Sequence, residues 1–328
     1  MENNISIREY RDEDKNQILD LLNRNFEKQQ HLNIIRDNEW WEWKYEKNIF
    51  GKPIIYVAES SKKIIAVRPL WPWRLNIRGN ELDCFQPLDS VVDVEFRGKG
   101  LFSKMTRKAI NENIDDIDIV FNFPNRQSIG ANLNLGWSLV GKLQWYIKIN
   151  KPIGTLSLYR HYGSFKSVKL DTEDLITFDK VNNLAEYINF DGKLKTKRDN
   201  AFLSWRYLEH PKINYGMGII KNRCSNLVYV YEVNENDHGR ELIIVDYFGN
   251  LRLFNEMLQE INSLSNKYKT AFTLILKKYN TPLNILIRNC YFKMSNKNFV
   301  VLPLNIALNN IGTKYDNWDI FLGMHDSV

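Results

Sequence analysis

The sequence predicts an α/β chain of two tandem folds, each a mixed, mostly antiparallel central sheet flanked by helices. Three observations carry that prediction. The stretch Cys84 to Ala109, CFQPLDSVVDVEFRGKGLFSKMTRKA, reads as strand, glycine-bearing turn and helix. Around it, short apolar runs alternate with helical spacings in the order strand, two helices, antiparallel strands, turn, helix, strand, helix, strand, complete by about Ile149. An internal echo then places Trp43-Lys-Tyr-Glu-Lys-Asn48 against Trp205-Arg-Tyr-Leu-Glu-His210, 162 residues on and close to half of the 328-residue chain. The division read from these is a first domain over 1–150, a connector over 151–172 with two glycines, and a second domain over 173–328.

Ile5-Ser-Ile-Arg-Glu-Tyr10 alternates as a strand does, and Asp12-Glu-Asp14 opens a helix whose apolar face is Ile18, Leu21, Leu22 and Phe26. A second helix carries Trp40, Trp41, Trp43 and Tyr45 and ends near Phe50-Gly51. Ile54–Ala58 and Ile64–Val67 read as strands paired around Ser60-Ser-Lys-Lys63, followed by a proline-broken aromatic stretch, Pro69 to Trp73. Leu88 to Phe96 is a β-branched strand with acidic residues interleaved. Alternation would put Asp89, Asp93 and Glu95 on one face and Val92 and Val94 on the other. Arg97-Gly98-Lys99-Gly100 breaks that strand, and Leu101, Met105, Lys108 and Ala109 follow at helical spacing. Such a layout converges backbone N–H groups and a positive helix end on one point, which suits a phosphate. The spacing is neither Gly-x-x-x-x-Gly-Lys-Ser/Thr nor Gly-x-Gly-x-x-Gly. Ile119–Phe123 is a further strand, Pro124-Asn125-Arg-Gln-Ser128 opens a helix, and Leu135-Gly136-Trp137 ends it. In the second half, Leu242–Asp246 stands where Val91–Asp93 stood, and Arg288–Tyr291 echoes Asn134–Trp137. The halves are expected to superpose, Trp43 on Trp205 and Asp93 near Asp246, without fusing into one sheet.

Arg97-Gly98-Lys99-Gly100-Leu101-Phe102 resembles the pyrophosphate turn of the GNAT acyltransferase superfamily, Arg/Gln-x-x-Gly-x-Gly/Ala, with Phe102 where Gly or Ala is usual. The order Arg-Gly-Lys-Gly, Phe-Pro-Asn-x-x-Ser, Gly-Trp resembles a tandem branch associated with cell-surface glycan biosynthesis. The resemblance implies acetyl-CoA or another short acyl-CoA as co-substrate. It would be held by Arg97, Gly98, Lys99, Gly100, Leu101 and Phe102, with Val92 and Val94 on the preceding strand and Asn125 and Ser128 beyond. The second half has one glycine after Asp246 and no such turn, so acyl-CoA belongs to the first half.

Acyl transfer to an amine calls for a polarised carbonyl, a neutral amine and a departing thiolate. The tyrosine that the superfamily commonly places four residues before the Gly of Gly-aromatic is Asn132 here, which has no proton to give. For the base the candidates are Asp89, Asp93 and Glu95. Asp89 is preferred, because its Asp-Ser before the valines resembles the glycan-locus proteins; taken singly, each reads first as a surface carboxylate or a partner of Arg97 and Arg68. Trp71, Trp73, Trp145 and Tyr146 read as core aromatics able to stack on sugar rings.

A net charge of +6 with 26% charged residues is that of a solvated surface, and no compact basic-aromatic stretch points to nucleic acid. Cys84, Cys224 and Cys290 lack metal spacing, and five scattered histidines make no metal pair, so no metal is expected. No apolar run approaches the ~20 residues of a membrane span, and the polar N-terminus suggests a cytoplasmic protein. The activity expected is acyl-CoA-dependent N-acyltransfer, in the first place N-acetyltransfer, to a small-molecule or glycan-precursor amine such as an amino sugar. A Fem-type aminoacyl transferase and a non-catalytic ligand-binding tandem module stand as alternatives.

Overall fold

Long-range strand pairing decides this architecture. The computed structural model describes residues 5–26, 31–182, 192–223 and 225–325; Cys224 lies outside them. The first half runs β1 (Ile5–Glu9), α1 (Lys15–Phe26), α2 (Asn38–Trp41), β2 (Ile54–Ser60), β3 (Lys63–Ile77), β4 (Asn80–Pro87), β5 (Val91–Val92), α3 (Leu101–Glu112), β6 (Ile119–Asn122), α4 (Ile129–Asn134) and β7 (Ser138–Ile149). After it come α5 (Pro152–Arg160), β8 (Lys166–Ser167), α6 (Phe178–Asn182), α7 (Asn200–Leu203), β9 (Tyr215–Lys221), β10 (Asn226–Asn236) and β11 (Gly239–Gly249). The chain continues through α8 (Phe254–Lys267), β12 (Phe272–Lys277), α9 (Leu283–Arg288) and β13 (Phe292–Pro303). The irregular connector expected over 151–172 therefore contains a helix and a short strand; Pro152 at the first helical position starts it.

The strands form one mixed sheet in the order β1-β2-β3-β4-β6-β13-β7-β12-β11-β10-β8, with β5 beside β3 and β9 beside β10. All pairs are antiparallel except β4 with β6 and β11 with β12. The fold class read from the sequence is that of the molecule: α/β, mostly antiparallel, with helices against the sheet. The halves nevertheless do fuse into one sheet. Each lends its last strand to the other, so that β13 pairs with β6 from Ile119↔Pro303 to Asn122↔Val300, and β7 pairs with β12 from Ile149↔Phe272 to Gln144↔Lys277. The two lent strands pair with each other at the centre, Ile147 opposite Phe292 and Ser138 opposite Val301.

Local geometry repeats across that centre. Asp37 caps α2 by accepting from the Trp40 N–H at 3.0 Å, and Asp199 caps α7 by accepting from the Phe202 N–H at 2.9 Å. Each short helix then widens into one π-turn, with Lys47 N–H donating to Glu42 O (2.7 Å) and Glu209 N–H to Ser204 O (2.8 Å). The widened turns aim Trp43 and Trp205 at each other. Their rings stack at 5.9 Å, and each indole N–H donates to the other's backbone carbonyl, at 2.7 and 3.0 Å. Both are buried, so Trp43→Ala empties an indole-sized volume and strands the Trp205 carbonyl. We expect a loss of about 3–5 kcal/mol, read from urea unfolding; Trp43→Phe should restore part of it.

The proline-broken stretch is instead the middle of β3, which runs unbroken through Pro69 and Pro72. Both prolines face partners in register, Ile55 and Phe85. Trp71 and Trp73 are buried here, their indoles donating to Lys44 O (2.8 Å) and Thr196 Oγ1 (2.8 Å), which makes them core. Tyr146 is buried and Trp145 half-buried against the core. No helix among the described residues is long and apolar enough to cross a membrane.

Candidate acyl-CoA site

The strand expected over Leu88–Phe96 is interrupted twice, and that decides where its carboxylates go. β4 ends at Pro87, Asp89 adopts a left-handed backbone (φ 45°), and the chain rejoins β3 only over Val91–Val92, opposite Val67 and Ala66. Val94–Phe96 is a 3-10 turn. Alternation therefore does not hold, and Asp89, Asp93 and Glu95 do not share a face. The Asp89 carboxylate is buried and accepts from Lys44 Nζ at 2.5 Å, Tyr45 Oη at 2.8 Å and the Arg36 guanidinium at 3.4 Å. Burial alone would raise its pKa; Lys44, Arg36 and these hydrogen bonds outweigh it and hold the group below the usual carboxylate value. A carboxylate committed to three donors is an anchor for the bulge and a weak base. Asp93 caps the 3-10 turn (3.4 Å to Glu95 N) with Arg24 at 3.8 Å and Lys63 at 4.0 Å, while Glu95 is exposed.

The counterpart of Asp89 lies in the second half. Arg198 donates to Asp246 at 2.8 Å, and Lys278 reaches the same carboxylate at 3.1 Å. Arg36 and Arg198 each open the triplet Arg-Asp-Asn, 36–38 and 198–200. The residue equivalent to Asp246 is thus Asp89, and not Asp93 as the valine strand suggested. The ends of α4 and α9 also match. Gly136 (φ 87°) and Cys290 (φ 62°) turn left-handed, and the N–H of the aromatic that follows reaches back to Asn132 O (3.2 Å) and Leu286 O (3.0 Å).

Gly98 (φ 79°) and Gly100 (φ 70°) hold the turn before α3, and a side chain at either would meet open space. Gly100 caps α3 without a side chain. Among the described residues, no acceptor within the chain engages the backbone N–H groups of residues 98–103, or those of Asp89 and Ser90. Arg97 braces the turn, its Nε donating to Val92 O (3.1 Å) and its Nη2 to Asn25 Oδ1 (3.1 Å). Lys99 Nζ lies 4.8 Å above the Phe96 ring. Val92 is half-buried and Val94 exposed; Leu101 is buried in the α3 face of the sheet.

Phe102, the departure from the usual turn, has a partner. The Arg68 guanidinium stacks 4.0 Å from its ring, and Arg68 Nη1 donates to Ser90 Oγ at 2.7 Å. Arg68 is fully buried, its Nε and Nη2 lack partners, and burial lowers its pKa to about 9, so it stays charged at neutral pH. No carboxylate contacts it among the described residues. A buried cation beside a ring of unpaired N–H groups is a place for an anion.

Across the site, β4 and β6 pair in parallel only at Cys84↔Ile119 and Phe85↔Val120 and then part. Beyond β6, Asn125 Oδ1 accepts from the Gln127 and Ser128 N–H groups and from Ser128 Oγ, all at 3.0 Å, so Asn125 and Ser128 first of all hold each other. Asn132 is fully buried, and both its side-chain polar atoms lack partners. Arg36, Lys44, Tyr45 and Arg68 are the members of this site that sequence reasoning did not name as functional; the repeated Arg-Asp-Asn triplet was the signal for the first of them. Among the described residues, the acidic group tight enough to interest a cation, Asp171, Glu173 and Asp174, is bridged by Lys267 at 2.7–2.8 Å.

Residues 6–140 match a protein family described as an acetyltransferase (GNAT) domain. The chain matches no curated protein. Among solved structures, it is similar to a GCN5-related N-acetyltransferase from Anabaena variabilis, at 14% identity and a TM-score of 0.61 over 92% of this chain and 73% of that one. It is similar at 13% identity and a TM-score of 0.58 to a probable N-acyltransferase from Enterococcus faecalis, over 92% and 73%. It is also similar to Saccharomyces cerevisiae N-myristoyltransferase with bound myristoyl-CoA, at 11% identity and a TM-score of 0.58, over 92% and 80%. At such identities the likeness is one of fold.

Proposed function

We infer, from a chain whose residues 6–140 match an acetyltransferase (GNAT) domain family, that this enzyme transfers the acyl group of a short acyl-CoA to an amine. The observation that carries the reading is the set of unpaired N–H groups over residues 98–103 beside the buried, carboxylate-free Arg68. The pyrophosphate would lie on that turn, and the pantetheine arm would pass where β4 and β6 part. The N–H groups of Asp89 and Ser90 would face the thioester carbonyl and the charge that develops on it. Asp89 fixes their bulge through Lys44, Tyr45 and Arg36. With Asp93 capping a turn and Glu95 in solvent, the neutral amine is the reacting form, and the thiolate leaves without a tyrosine acid, since thiols ionise near ~8.5. The second half acts as a degenerate copy that completes the acceptor side. An amino sugar of a glycan precursor, which the motif order in the sequence suggests, is the first acceptor to try.

The reading is tested with acetyl-CoA in thermal-shift titration, then by release of free thiol in the presence of amino-sugar nucleotides, simple amines and aminoglycosides. Stabilisation by acetyl-CoA and amine-dependent thiol release are expected, the rate rising with pH as the acceptor's ammonium deprotonates. Absence of any shift by acetyl-CoA or free CoA would overturn the assignment of the turn, and aminoacyl-tRNA would then be the donor to try.

A further inference from the structure

We propose that His31, Glu232, Asn234 and Glu241 form a proton-operated latch, which clamps the segment leading to Arg36 onto the second half while it holds its protons and loosens as they leave. The four side chains come from both halves. His31 stands between α1 and α2, Glu232 and Asn234 on β10, and Glu241 opposite Asn234 on β11. Asn234 Nδ2 donates to both carboxylates, at 3.2 Å to Glu232 and 3.3 Å to Glu241. His31 Nε2 hydrogen-bonds the same Glu241 oxygen that Asn234 engages.

The cluster has more acceptors than donors. Glu232, Asn234 and Glu241 are fully buried, and Glu232 Oε2, Asn234 Oδ1 and Glu241 Oε2 lack a donor. Among the described residues, no lysine, arginine or histidine forms an ion pair with Glu232, whereas Glu241 has His31. An ionised Glu232 would thus be a buried charge without a counter-ion in contact. The stable arrangement is an imidazolium on Glu241 and a protonated acid at Glu232. Burial pushes Glu232 up to about 7. Burial lowers the His31 pKa, but Glu241 outweighs it and raises the group above its ordinary value. Two other titratable groups face these carboxylates from neighbouring elements. Tyr162, before β8, lies 5.1 Å from the His31 ring, and Arg206, in the second π-turn, donates to Gly323 O at 2.9 Å. Outward, His31 and Tyr162 border a cavity also lined by His161, Lys166, Glu235, Asp237 and His238, through which water reaches the imidazole.

What the latch holds is defined by the backbone. His31 O accepts from the Phe165 N–H at 2.9 Å, and the Asn33 N–H donates to Phe165 O at 2.8 Å. Three residues on from Asn33, Arg36 meets Asp89. Both protons favour the closed form. The His31 contribution is lost as pH rises through its raised folded pKa, and that of Glu232 is lost as pH rises from its ordinary 4.5 to about 7. This dependence runs opposite to that of an ion-paired carboxylate such as Asp89.

The test compares the full chain with its Glu232→Gln and His31→Gln variants. In urea, the unfolding equilibrium constant of the parent should rise on the order of a hundredfold against that of Glu232→Gln between about pH 5 and 8. Over the same interval, hydrogen-exchange protection of the Asn33 and Phe165 amides, corrected for the intrinsic pH dependence, should fall in the parent and fall less in Glu232→Gln. The His31 imidazole, assigned by its loss in His31→Gln, should titrate by NMR above the ordinary ~6.5. A parent-to-variant ratio that stays constant across pH would overturn the proposal. So would a His31 that titrates at or below its ordinary value, or protection at Asn33 and Phe165 that ignores pH. The last two are read on the parent and decide the matter even if Glu232→Gln does not fold.

Discussion

Gly100→Val is expected to lower acyl-CoA affinity by about 10²-fold or more while leaving the melting temperature close to that of the parent. The residue lies at φ 70°, where a side chain costs about 1–2 kcal/mol, and valine's branched Cβ is a poor fit there. Free protein can relieve the strain by moving an exposed turn; the ligand-bound form must rebuild it and also accept a side chain in the open space that a phosphate would occupy. At 1.4 kcal/mol per tenfold, strain alone accounts for about tenfold, which is the loss expected of Gly100→Ala. The excess of valine over alanine measures displacement of the phosphate. Calorimetry with CoA and acetyl-CoA reads both, and undiminished affinity in Gly100→Val would remove the turn from the site.

Asp89→Ala is expected to destabilise the fold by about 3–5 kcal/mol, the cost of breaking a buried ion pair from one side. It removes the carboxylate that Lys44, whose side chain is 1% exposed, shares with Arg36 and the Tyr45 hydroxyl. Asp89→Asn keeps the shape and should lose less. The sign with pH follows from the depressed pKa of Asp89: its stabilisation is present above the unfolded carboxyl value, ~3.9, and fades as pH falls through the folded one. Parent and Asp89→Asn should therefore converge in stability on acidification. Activity separates anchor from base. An anchor lost from the bulge lowers turnover by a constant factor across pH. If Asp89 were the base, the loss would instead shrink at high pH, where more amine is already neutral.

Much of this was legible locally. The turn at Arg97–Gly100, the helix from Leu101 and the stop at Gly136-Trp137 follow from glycine conformation and apolar spacing, and each stands where the sequence puts it. What misled was continuity. Val91-Val92 invited one strand from Leu88 to Phe96, although Pro87-Leu-Asp-Ser90 carries the turn chemistry that lets Asp89 go left-handed. That single backbone reversal redirects the carboxylate from an open cleft to Lys44, and no period-2 argument survives it. The echo around Trp43 and Trp205 was visible, but its geometric meaning was not. Two indoles clasping each other's carbonyls depend on two π-turns, which side-chain periodicity does not encode. The choice of strand neighbours was not legible at all, because β7 and β13 have similar apolar patterns and either could have closed its own half.

The lending of those two strands has a consequence on the ribosome. β6 leaves the exit tunnel long before its neighbour exists, since Ile119 must wait for Pro303. Throughout that interval an apolar edge, Ile119-Val-Phe-Asn122, is bare in a nascent chain that already holds β1–β4. Folding of the first half is thereby made to wait for the second, with a high contact order, slow and open to misassociation in the interval. Premature termination anywhere before β13 would leave the outer edge of β6 without its partner strand, in a product that a chaperone or a protease meets first.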